Sequence, residues 1–66
     1  MKVLIKKKGE DLYRSESGAW TPNLAEAQDF KSYLPALEYC ENHHLRDVEA
    51  LLCSPDPQHN LILRLA

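Results

Sequence analysis

The sequence has no catalytic or cofactor fingerprint, no internal repeat, no low-complexity tract and no long block of like charge. No apolar run approaches the ~20 residues that cross a bilayer. The three apolar residues in MKVLIKKKGE, flanked by lysines, are too few for a signal-peptide core. Two cysteines, Cys40 and Cys53, allow at most one disulfide. The expectation is a cytoplasmic protein with two reduced thiols. Aromatics are also scarce, with one Trp, one Phe and three Tyr. Trp20 and Phe30 both fall in GAWTPNLAEAQDF, and Trp20 directly precedes a Thr-Pro turn signal. Whether Trp20 faces a core or a partner therefore bears on function.

A chain of 66 residues is read as a single small α+β domain over 1–66. Domains of this size bury only ~60% of their unfolded surface, so the core is small. A hydrophobic fraction of 44% is nevertheless enough for a globular fold and argues against disorder. The net charge of −2 is unevenly spread. Lys2, Lys6, Lys7 and Lys8 precede any acid, whereas from Gly9 to Phe30 only Arg14 opposes Glu10, Asp11, Glu16, Glu26 and Asp29. The basic end belongs to one strand, and the overall balance is a poor start for binding phosphate backbones.

KVLIKKK reads as a strand with Val3 and Ile5 on one face and Leu4 on the other. Gly9 turns the chain, and Leu12 to Arg14 begin the returning strand of a hairpin. Ser15 to Gly18 read as a loop leading into Ala19 and Trp20. Asn23 offers an N-cap, with Glu26 in the capping-box position, to a short helical turn. A main helix follows from Ser32, its apolar face built from Tyr33, Ala36, Leu37, Cys40 and His44. Period-two alternation then returns in DVEALLC and NLILRLA, separated by a loop with two prolines. The expected fold is a four-stranded antiparallel sheet of two hairpins, with the short turn and one main helix on one face, in the order β-β-(α)-α-β-β. Tyr33, Leu37 and Cys40 would pack on Val48, Leu52, Leu61, Leu63 and Leu65.

One helix covers one face of such a sheet, and the strands carry apolar residues on both. Leu4, Leu51 and Ile62 remain on the uncovered side, where a clean alternation would place polar residues. That clustering points to a contact surface for the protein itself or for another protein. A one-residue error in strand register would produce the same appearance.

Other chemistry is weighed against plainer readings. Cys40, His43 and His44, with Cys53 and His59, have ligand types suited to zinc, but a cysteine in an apolar stripe is ordinarily a small hydrophobe. Histidines in a last helical turn interact favourably with the helix dipole. Cys40 as a nucleophile would sit toward the C-terminal half of its helix, where the dipole raises its pKa. No carboxylates pair as general acid and base, so the chain reads as a non-enzyme without cofactor or metal. Lys2, Lys6, Lys7 and Lys8 with Tyr13 imitate a nucleic-acid platform. Lysines along a strand more commonly block edge-to-edge aggregation.

Trp20 is expected to be mostly buried beside Leu24, Ala27 and Phe30, clamping the short turn to the sheet and helix. Trp20, Ala27, Phe30, Ser32 and Ala36 resemble a spacing found in small, uncharacterised bacterial and phage-borne domains of strand-strand-helix-strand-strand order. The resemblance implies an architecture and no activity. The functional expectation is a small cytoplasmic binding module, non-catalytic, that self-associates as a homodimer or binds a protein partner, without nucleic acid or membrane. The alternative is a nucleic-acid-binding protein using the lysine strand.

Overall fold

In a computed structural model, which describes residues 2–65, the chain forms one antiparallel sheet crossed by one helix. The strands are β1 (Lys2–Lys7), β2 (Tyr13–Arg14), β3 (Trp20–Thr21), β4 (Val48–Cys53) and β5 (Leu61–Arg64), and the helix is α1 (Tyr33–Asn42). Short 3-10 turns cover Leu24–Glu26 and Pro57–His59. The sheet has five strands in the order β3-β2-β1-β4-β5, so the two expected hairpins meet where β1 pairs with β4.

The expected α+β class and both hairpins are present, but the four-strand expectation is corrected. The residues read as a loop before Trp20 lead into a fifth strand, with Tyr13 opposite Thr21 and Arg14 opposite Trp20. Two residues are shorter than any alternation that periodicity can detect. The expected helical turn is a 3-10 turn. Asn23 does cap it, its side chain accepting from Ala25 N–H at 2.9 Å. Glu26 does not complete a capping box with Asn23; its carboxylate accepts from the Thr21 hydroxyl at 2.9 Å, tying the turn to β3.

Helix α1 begins after Ser32 and ends at Asn42, two residues earlier than the expected apolar face requires. His43 is the C-cap, and His44 takes a left-handed φ of 53°. Leu45 N–H reaches Cys40 O at 3.0 Å and His44 N–H reaches Glu41 O at 3.4 Å. These two bonds form a Schellman termination, and they remove His44 from the helix face assigned to it.

The core lies between α1 and the central strands. Val3, Ile5, Val48 and Ala50 pack with Ala36, Cys40, Phe30 and Leu65, and Tyr33, Leu37 and Leu52 border them. The helix spans ten residues and lies over β1 and β4. It reaches β5 through Tyr33, whose hydroxyl donates to Arg64 O at 2.7 Å. Leu61 and Leu63, expected beneath the helix, are therefore exposed, at 58% and 41%.

Candidate functional site

The ladder aligns Leu4 with Leu51 and Leu51 with Ile62. These three residues thus form one row across β1, β4 and β5, on the face opposite the core cluster. Their exposure rises along the row. Leu4 is 3% exposed, Leu51 is partly buried, and Ile62 is 55% exposed. Tyr13 is buried on this same face, and its phenol pKa is raised by burial first, then by Asp11 and by Cys53. Leu4 and Tyr13 are thus both closed off, and the face opens toward β5. Of the residues expected to form a contact surface, Ile62 is the one that is open.

Beside Ile62 the apolar exposure continues onto the other face. Leu61 and Leu63 project from β5 on the helix side, and Leu34, on the flank of α1, is 61% exposed. All four residues of β5 are exposed, and β5 forms one edge of the sheet. Leu61 and Leu63 were expected in the core rather than at a contact surface, and Leu34 was given no role from sequence. The signal available was a C-terminal strand, LILR, without the lysine or proline that usually blunts an edge. The opposite edge differs: β3 has two residues and is followed by Pro22, which has no N–H to offer.

The lysines are dispersed. Lys6 lies on the Leu4 face, where its ammonium donates to Lys7 O at 3.1 Å and sits 3.8 Å from the Glu49 carboxylate. Lys7 lies on the helix face, 5.2 Å from the centre of the Trp20 ring. Lys8 is in the turn after β1, and Lys2 begins the strand. Lys2 and Lys6 share the Leu4 face with Tyr13, which lies opposite Lys6 and is buried, while Lys7 is on the other face.

Trp20 is half-buried against the core cluster. The Arg14 guanidinium lies 5.2 Å from its ring centre and 5.8 Å from that of Tyr39. Tyr39 in turn meets Phe30 edge-on at 4.9 Å and stacks on His43 at 3.9 Å. The tryptophan thus fastens the β2–β3 edge to the helix through a cation.

Cys40 and His44 line one open hollow of about 610 Å³ beneath the helix C-terminus. Cys53 lies on the opposite side of the sheet from Cys40, because it shares the face of Leu51. Both thiols are free. Burial pushes the Cys40 thiol up against the opposing pull of Arg14, and burial pushes Cys53 up against Lys2. Among the described residues, no group of three His, Cys, Asp or Glu side chains could hold a metal ion. No helix among them is long and apolar enough to cross a membrane. The chain matches no family model, no curated protein and no solved structure.

Proposed function

We propose that the chain is a small, non-catalytic interaction module that associates through the β5 edge. The observation that carries this reading is the exposure of Leu61, Ile62 and Leu63 on an edge strand, spread over both faces of the sheet. An edge strand presents a row of unpaired backbone donors and acceptors, and natural proteins blunt such edges unless they are used. Here the blunting devices sit at β3, and the apolar residues sit at β5. Association through β5 also covers apolar area that a ten-residue helix leaves open, at ~25 cal/mol per Å².

The module needs no cofactor in this reading, and a cytoplasmic setting suits two thiols that lie on opposite faces of the sheet. Sedimentation velocity across a wide concentration range tests it. The expected result is a weight-average mass that rises above the 7.6 kDa of one chain as concentration increases. A mass that stays at one chain throughout removes self-association.

A further inference from the structure

We propose that the occupant of the β5 edge is β5 of a second copy, paired antiparallel about Ile62, so that two five-stranded sheets become one. This inference rests on the self-association proposed above and specifies its geometry. Leu65 N–H donates to Val48 O at 3.3 Å, which directs the backbone groups of Leu65 toward β4. Alternate residues of a strand point the same way, so Leu63 and Leu61 also face β4, and Ile62 and Arg64 face outward. The outer edge therefore offers the N–H and C=O of Ile62 as a matched pair.

Antiparallel pairing of an edge with its own copy requires a two-fold axis perpendicular to the sheet. That axis keeps each face on its own side, which places both helices on the same face. With the axis at Ile62, the two Ile62 residues exchange both backbone bonds, and Arg64, whose carbonyl already accepts from the Tyr33 hydroxyl, lies opposite Asn60 of the second copy. Side chains then meet like with like. Exposed Leu61 faces exposed Leu63 of the second copy on the helix side, and Ile62 faces Ile62 on the other.

Neighbouring registers do less. An axis at Leu63 would set Leu61 against Leu65, which the core already buries. An axis at Arg64 would set two guanidiniums opposite each other, a destabilising pair. Charge and apolar exposure both select Ile62. The two-residue β3 edge, closed by Pro22, stops the sheet from growing further, so the assembly ends at a dimer. Four-residue strands bury less than the ~1,200–2,000 Å² of standard stable interfaces, so the dimer forms and dissociates with concentration.

Residue-resolved amide exchange on the unmodified chain, at low and high concentration, tests the register. Protection of the Ile62 amide should rise at least ~tenfold with concentration, while Leu61 and Leu63, bonded to β4 in either state, should not change. A mixed sample of labelled and unlabelled chains should also give an interchain contact between the α-protons of Leu61 and Leu63, which lie close in a non-hydrogen-bonded pair. A synthetic chain with N-methylated Ile62 keeps the side chain and loses only the outward donor. It should remain folded by circular dichroism and lose the association. Association that protects other amides, or that survives N-methylation, overturns this pairing while leaving self-association standing. A chain that stays monomeric at every concentration overturns both.

Discussion

Arg14 Nε donates to the Tyr39 hydroxyl at 3.1 Å, which joins β2 to α1 across 25 residues of sequence. The same guanidinium lies near the Trp20 ring, so one side chain links the short edge of the sheet to the helix. Arg14→Ala should cost about 1–2 kcal/mol, from one hydrogen bond and the lost cation–π contacts. Arg14→Lys should recover only part of this, because an ammonium lacks the planar fork. Thermal unfolding followed by circular dichroism measures both, at roughly 4–8 °C per kcal/mol for a chain of this size. Equal stability of the alanine variant and the wild type would mean that the link contributes nothing.

His44 closes the helix in a left-handed conformation that glycine adopts without strain. His44→Gly should therefore stabilise the fold by about 1 kcal/mol, the steric cost of a left-handed residue with a Cβ. Denaturant titration checks this. A loss of stability would show that the imidazole itself contributes to the hollow it lines with Cys40.

Asp29 Oδ1 accepts from Lys31 N–H at 2.8 Å and from Val3 N–H at 3.1 Å, tying the loop before α1 to β1. These backbone donors hold its carboxyl below the usual carboxylate range. A depressed folded pKa contributes stability that is present above ~3.9 and is lost as pH falls through the folded value. Unfolding free energy should therefore decline on acidification below ~4, and Asp29→Asn should flatten that part of the profile. At the alkaline end the sign reverses. Tyr13 has a raised pKa, chiefly from burial, so stability should fall as pH rises past ~10, and Tyr13→Phe should remove that loss.

Leu63 and Leu65 lie two residues apart on the same face, yet they occupy different environments. Leu65 belongs to the core and Leu63 to the open edge. Leu63→Lys should leave the helix content intact, whereas Leu65→Lys should unfold the chain or destabilise it by several kcal/mol through burial of an unpaired charge. Circular dichroism on the two variants decides. If Leu63→Lys also unfolds the chain, β5 is covered.

The pattern of the longer strands was legible because Val48, Ala50 and Leu52 alternate against Glu49, Leu51 and Cys53, long enough for a period of two to register although Leu51 and Cys53 are themselves apolar. The same alternation placed Leu4, Leu51 and Ile62 on one face, and the ladder aligns them residue to residue. Their depth was not legible, because burial across a row depends on what lies over each strand, and Leu4 is buried where Ile62 on the edge is exposed. The helix end was misread since Cys40 and His44 have the spacing of one face, and only the backbone bonds of Leu45 and His44 show the chain turning away. The exposure of Leu61 and Leu63 follows from helix position. A ten-residue helix over β1 and β4 cannot also cover an edge strand, and no pattern within β5 records where the helix lies.

The most direct measurement of the central claim is the sedimentation of wild type and Ile62→Lys at matched concentrations, with circular dichroism on both. The wild type is expected to reach a dimer at high concentration. The Ile62→Lys variant, which would set two ammonium groups face to face across the two-fold axis, is expected to stay a single chain with unchanged helix content. A folded Ile62→Lys variant that dimerises as readily as wild type would contradict association through the β5 edge.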